Sequence, residues 1–280
     1  MENANNLKEL VREKYAQIAL QDKDTNASSC CGSGSCSTDV YNIMSEDYTT
    51  LEGYNPDADL GLGCGLPTQF AKIKKGDVVI DLGSGAGNDC FIARAEAGED
   101  GRVIGIDFTE AMIEKARKNA EARGFQNVEF RSGDIEHMPV TSNFANVIVS
   151  NCVLNLVPNK NGVFAEIFRV LKPGGHFSIS DVVLTGSLPA SLQQAAEMYA
   201  GCVSGASQKE MYLELIAQNG FKNVTIQKEK PIIIPDDILD KYLSPEELAA
   251  FKSQKAGIYS ITVYAEKPAA DCCEPGSGCC

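Results

Sequence analysis

The run Val79-Ile80-Asp81-Leu82-Gly83-Ser84-Gly85-Ala86-Gly87 constrains this chain more than any other. A short apolar stretch, Val78–Leu82, enters a loop carrying Gly83, Gly85 and Gly87 and leaves as a helix through about Ala97. Glycine at such a turn permits positive φ and lets backbone approach a ligand closely. The helix that follows presents its N-terminus to the same point. Twenty residues beyond Gly87, at the end of the next apolar run Arg102–Asp107, Asp107 is placed where it can accept both hydroxyls of a ribose. Strand, glycine loop, helix, strand and carboxylate in that order describe a nucleoside-binding βαβ unit. The bland alternative is a tight turn with no ligand.

The alternation continues on both sides of that unit. Thr109 is placed to cap a helix through Ala122, with Gly124 just past its end. Strands are predicted at 128–131, 145–150 and 176–183, with a helix at 163–171 stopped by Lys172-Pro173-Gly174-Gly175. Helices follow at 189–200 and 208–218, then strands at 222–229 and 258–266. Between those two strands, Ile232-Ile233-Ile234-Pro235 and a helix at 245–254 read as an insertion. The expected fold is α/β: a doubly wound, mainly parallel seven-stranded sheet, Rossmann-like, with a smaller C-terminal segment.

Four regions are expected along the chain: an N-terminal helix with cysteine-containing loops (1–70), a cofactor-binding domain (71–185), a C-terminal segment completing site and sheet (186–267) and a flexible cysteine-rich tail (268–280). Leu7, Leu10, Val11, Tyr15 and Ile18 give the first helix one apolar face, for packing or for covering a site.

With 25 Lys+Arg against 38 Asp+Glu, the net charge of −13 disfavours nucleic acid and anionic membrane as partners. There is no apolar run of about 18 residues and no secretory h-region at the N-terminus, so a cytoplasmic chain with reduced thiols is expected. Eleven cysteines in 280 residues are too few for a disulfide scaffold, which runs near ~8–10%. Cys30, Cys31 and Cys36 lie in a Gly/Ser-rich segment expected to be a loop, and Cys272, Cys273, Cys279 and Cys280 in the tail. Cys64, Cys90, Cys152 and Cys202 lie in the body.

The glycine spacing is G-x-G-x-G, and Asp81 opens the loop. A carboxylate there repels a pyrophosphate and suits a cationic amino-acid group, which favours S-adenosylmethionine over a dinucleotide. Over roughly 76–185 these residues resemble the class I S-adenosylmethionine-dependent methyltransferases, with Gly133-Asp134-Ile135-Glu136 similar to that family's adenine loop. The resemblance implies that Asp81 faces the methionine amino group and that Gly83, Ser84, Gly85 and Gly87 line its carboxylate side. It further implies Asp107 on the ribose and Ile135 with Glu136 on the adenine. Met112 is placed to pack on the adenine or in the core, and Asn151, beside Cys152 at a strand end, joins the cofactor set. His137 and His176 read as structural.

Cys64 sits in Leu62-Gly63-Cys64-Gly65-Leu66-Pro67, Cys152 follows a strand in Ser150-Asn151-Cys152-Val153-Leu154-Asn155, and Cys202 ends a helix in Ala200-Gly201-Cys202-Val203-Ser204-Gly205. Each alone can be a buried apolar thiol, and Cys90 keeps that reading. Together these phrases, with the separate CC-containing loop, resemble the arsenite methyltransferases over nearly 1–265. The resemblance implies that Cys64, Cys152 and Cys202 capture As(III) as substrate and that Cys31 or Cys36 joins a redox step. It also implies arsenite and methylarsenite as substrates, a thiol reductant such as thioredoxin or glutathione, and no structural metal. Soft thiolates suit such a thiophilic centre. Two other readings stand beside it: a methyltransferase of a quinone or other small molecule, and a non-catalytic thiol-rich metalloid binder.

Overall fold

The computed structural model describes residues 2–20, 46–189, 191, 205–233, 236, 239–240, 243–253 and 257–270, with backbone alone for 2–7 and 10. Seven strands form one sheet: β1 (Val78–Leu82), β2 (Arg102–Asp107), β3 (Val128–Ser132), β4 (Ala145–Asn151), β5 (Leu171–Thr185), β6 (Lys222–Ile232) and β7 (Gly257–Glu266). Their order is β3-β2-β1-β4-β5-β7-β6. The first five are parallel, and β7 runs antiparallel between β5 and β6. Order reverses between β1 and β4, which opens a crevice at the carboxyl ends of the strands.

Successive residues of the central strands serve opposite faces, as the period of two requires. Ile80, Ile104, Ile148 and Phe177 pack under α5 (Lys160–Val170) and α6 (Lys209–Gln218), meeting Phe164, Ile167, Tyr212 and Ile216. Val79, Val103, Val147 and Val149 pack under α3 (Asn88–Ala97) and α4 (Glu110–Ala122), meeting Phe91, Met112, Ile113 and Ala116. Burial on both faces explains why these strands read as continuous apolar runs. Further helices among the described residues include α1 (Glu2–Ala19), the single turn α2 (Pro67–Phe70) and α7 (Pro245–Ser253).

Three local expectations need correction. Lys172-Pro173-Gly174-Gly175 ends α5 but does not delay the strand: β5 runs from Leu171 and absorbs the four residues as a register shift against β4. Gly174, at φ +80°, donates to Lys267 O at 3.0 Å, and Lys267 N donates to Gly175 O at 2.8 Å, so the excursion stays hydrogen-bonded. β6 extends to Ile232, which pairs with Ile258, and so takes in a residue expected in the insertion. Thr109 does occupy the N-cap of α4, but its hydroxyl caps nothing; its N–H donates instead to Asp107 Oδ1 at 2.8 Å. Gly124 follows the C-cap with φ +66°, as expected. The helix expected at 189–200 lies almost wholly outside the described residues.

Two anchors hold the polypeptide that brackets residues 21–45. Lys115 Nζ donates to Ala19 O at the end of α1 (3.0 Å). On the other side, Glu46 accepts Lys228 Nζ at 2.9 Å and lies 3.6 Å from Lys230 Nζ, both from edge strand β6.

Candidate active site

At the carboxyl ends of β1, β2 and β4 lies a cavity of about 290 Å³. Its floor is the glycine loop. Gly83 N and Ser84 N donate to Ile106 O at 2.7 and 3.1 Å, which ties the loop to the end of β2. Gly85 N donates to Asp107 Oδ2 at 3.0 Å. Gly85 has φ +51°, and a Cβ there would meet nothing within 4 Å, so its α-carbon faces open cavity.

Of the residues proposed from sequence for a cofactor, Asp81, Gly83, Ser84, Gly85, Asp107, Met112, Ile135 and Asn151 line this cavity. Gly87 and Glu136 do not. Gly87, at φ +99°, starts α3, and a Cβ there would come within 2.7 Å of the Phe130 ring, so glycine answers to packing. Glu136 is buried and ion-paired with Lys8, which also contacts Asp134 at 2.6 Å. Met112 is fully buried in the core beside Phe91 while its edge lines the cavity.

Three carboxyl groups dominate the electrostatics. Asp81 is 2% exposed, and burial, then the proximity of Asp89 and Asp107, push its carboxyl well above the usual range. Asp107 is raised by burial against the hydrogen bonds from Thr109 and Gly85. Asp89 is pushed up to about 6 by burial, partly offset by hydrogen bonds from Asn151 and Tyr48. Cys90 donates from Sγ to Asp81 Oδ2 at 3.3 Å, so this buried thiol is a hydrogen-bond donor as well as packing. Around the cavity, Ser84 Oγ, Asp89 Oδ1 and Thr109 Oγ1 are out of solvent contact with no hydrogen-bond partner among the described residues. Buried polar atoms normally have partners. Orphaned acceptors beside clustered carboxyls fit a ligand that is cationic and bears hydroxyl groups, as S-adenosylmethionine does.

Cys152 borders the cavity just past β4. Its φ of +61° is unusual for a residue with a side chain. The conformation is held by its N–H, which donates to Ser180 O at 2.8 Å. Cys64 is 1% exposed and falls with Cys152 in one buried cluster that includes Val182, Leu184, Leu188 and Leu239. Both are thiols, as is Cys90. The structure therefore brings two of the three proposed cysteines together. Cys202, Cys31 and Cys36 lie outside the described residues, as do the tail cysteines.

The Cys64 loop is seated on β4 and β7 through its backbone. Cys64 N donates to Asn151 Oδ1 at 3.1 Å, and Ser260 Oγ donates to Cys64 O at 2.6 Å. Asn151 Nδ2 donates to Gly65 O at 2.9 Å, to Asp89 Oδ2 at 3.1 Å and to Tyr48 Oη. Tyr48 Oη in turn lies 2.9 Å from Gly65 O and 3.2 Å from Asp89 Oδ2. Neither histidine lines the cavity: His137 is exposed, and the His176 ring Nε2 lies 2.6 Å from Ala71 O.

Sequence reasoning missed Tyr48, Asp59 and Asp89, and left α1 undecided, although Lys8, Arg12 and Tyr15 all line the cavity. Asp89 carried a signal: an acidic residue in the first turn of the helix behind a glycine loop. Tyr48 and Asp59 come from irregular chain with no periodicity to read.

Among the described residues, no helix is long and apolar enough to cross a membrane. A family model described as "Methyltransferase domain" matches residues 73–220. The chain is similar to the arsenite methyltransferase of Halobacterium salinarum, 41% identical over 94% of this chain and 67% of that protein. It is also similar to the arsenite methyltransferase of Aquipseudomonas alcaligenes, 32% identical over 84% of this chain and 68% of that one. Among solved structures it is similar to an arsenic(III) S-adenosylmethionine methyltransferase from Chlamydomonas reinhardtii. That match has 31% identity and a TM-score of 0.64, covering 82% of this chain and 73% of that one.

Proposed function

This chain belongs to the arsenite methyltransferases, S-adenosylmethionine-dependent enzymes, and from that premise we propose how its cavity divides the work of methylating arsenite. The carrying observation is the pairing of Cys64 with Cys152 in one buried cluster against a cavity edged by Asp81, Asp89 and Asp107. Asp81 holds the cationic amino-acid end of the cofactor, and Asp107 accepts its ribose hydroxyls while keeping the Gly85 and Thr109 amides aligned. Ile135 and the edge of Met112 give the adenine an apolar seat. Gly83, Ser84 and Gly85 face the cofactor's carboxylate side; Gly87 and Glu136 act behind that shell, through packing and the Lys8 pair. The cofactor supplies one thing to the reaction, an electrophilic methyl group on a sulfonium.

Cys64 and Cys152, with Cys202, take arsenite as three As–S bonds; the three thiol protons leave with the three arsenic hydroxyls as water. Three thiolates leave the arsenic lone pair uncovered. That pair takes the methyl group, an As–C bond replacing the donor's S–C bond, and arsenic rises formally from +3 to +5. Holding nucleophile and methyl in line is enough, and no side chain needs to remove a proton. Two cysteine thiols then return two electrons as they join in a disulfide, with Cys31 or Cys36 as one partner. A dithiol or glutathione-type reductant of the cytoplasm restores the thiols, and methylarsenite re-enters as a substrate.

The test is an incubation of the chain with arsenite, a thiol and S-adenosylmethionine, followed by mass spectrometry of the arsenicals. Wild type yields methylated arsenicals. Cys64→Ser and Cys152→Ser yield none while retaining the circular-dichroism spectrum and cofactor binding. Full methylation by either variant overturns the thiol assignment.

A further inference from the structure

The cofactor cavity and the Cys64 loop share one side chain. The Asn151 amide is oriented without ambiguity: its Oδ1 receives the Cys64 N–H, and its Nδ2 faces three acceptors, Gly65 O, Asp89 Oδ2 and Tyr48 Oη. A flipped amide would set N–H against N–H on the cysteine side and oxygen against carboxylate on the other. Packing around it is close. A Cβ at Gly63 would come within 2.7 Å of Asn151 Nδ2 and 3.1 Å of Tyr48 Oη. Cys152, the neighbour of Asn151, is fixed in its left-handed conformation by Ser180 O. Asn151 therefore joins the Cys64 backbone to the strand end that carries Cys152.

Asp89 is the charged member of this network on the cavity wall. Its Oδ2 is engaged by Asn151 and Tyr48, whereas Oδ1 is out of solvent contact, has no partner among the described residues and belongs to a residue lining the cavity. We propose that Asp89, Asn151 and Tyr48 form a positioning network through which a cationic ligand in the cofactor cavity holds Cys64 beside Cys152, so that the cofactor and trivalent arsenic each tighten the binding of the other. A cation beside Oδ1 keeps Asp89 charged, and a charged acceptor draws the Asn151 and Tyr48 donors more strongly than a neutral one. Their hydrogen bonds hold Gly65 O and the Cys64 N–H in place. Arsenic bridging the two thiols fixes Asn151 from the other side, and linkage makes the two effects equal in size. The inference rests on the cofactor and thiol assignments above.

The probes are arsenite and sinefungin, a non-reactive cationic analogue of the methyl donor, followed by titration calorimetry. For wild type, saturating sinefungin tightens arsenite binding by about fivefold or more, in the range of ordinary coupling between sites. In Tyr48→Phe and Asp89→Asn the ratio falls toward one, while each variant still binds arsenite alone. The two variants disturb the network at different atoms, so failure of one to fold leaves the other decisive. Equal arsenite affinity with and without sinefungin in wild type overturns the coupling, as does an unchanged ratio in both variants. If wild type binds sinefungin but no arsenite, the thiol assignment itself falls, a result distinct from independent binding of both.

Discussion

Cys152 shows how a single residue can hold its strain for a purpose. A left-handed backbone at a residue with a Cβ costs about 1–2 kcal/mol, and here it turns the chain out of β4 so that Cys152 borders the cavity. Asp107 shows the complementary case of a side chain with two duties. Asp107→Ala removes both the proposed ribose acceptor and the partner of the Gly85 and Thr109 amides. The expected outcome is a rise of about tenfold or more in KM for S-adenosylmethionine, from loss of hydrogen bonds to a charged group. Steady-state kinetics with varied cofactor check this, and thermal melting should show a drop of about 1–2 kcal/mol from the orphaned amides. Asp81, Asp107, Cys64 and Cys152 were legible in the sequence because each sits at a fixed place in a recognisable phrase. Tyr48 was not, since its role comes from a contact with Asn151 across 103 positions of irregular chain.

At the level of elements, the strands were the most readable part. β1 and β2 agree with their predicted bounds because burial on both faces leaves uninterrupted apolar runs between turn formers. β5 exceeded its expected length because the hydrogen bonds that carry it through Lys172–Gly175 come from Lys267, which local sequence cannot reveal. For α1, periodicity established a face but not what the face covers. It does both things considered: Tyr15 and Ile18 pack on the α4 side of the sheet, while Lys8, Arg12 and Tyr15 line the cavity. Lys8 staples the helix to the turn carrying Asp134 and Glu136. Lys8→Met keeps the stem and removes the charge. It should raise the cofactor Kd by roughly three- to tenfold, the worth of one or two charge-assisted bonds in partly exposed surroundings. Hydrogen exchange should show faster opening of α1, and arsenite binding without cofactor should be unchanged.

For the whole molecule, the net charge of −13 is partly an internal matter. Asp181, fully buried on β5, accepts from Tyr212 Oη at 3.2 Å and from its neighbour's N–H. Burial pushes its carboxyl up to about 7, against the pull of Lys160. The unfolded chain loses that proton near pH 4, so between about pH 4 and 7 the folded state binds more protons, and stability falls as pH rises. Asp181→Asn should therefore be more stable than wild type by on the order of 4 kcal/mol at pH 8. The gap should close toward pH 4 in denaturant titrations, and a constant gap would contradict the burial argument. One consequence concerns the stretch between the two anchors, at Ala19 and at Glu46. Cys36 stands ten residues before Glu46, so covalent geometry keeps it within ~36 Å of that anchor. Both anchored segments border the cavity, through Tyr15 on one side and Tyr48 on the other. If Cys31 or Cys36 returns the electrons as proposed, that step is intramolecular, and single-turnover kinetics should show a rate that diluting the enzyme does not change.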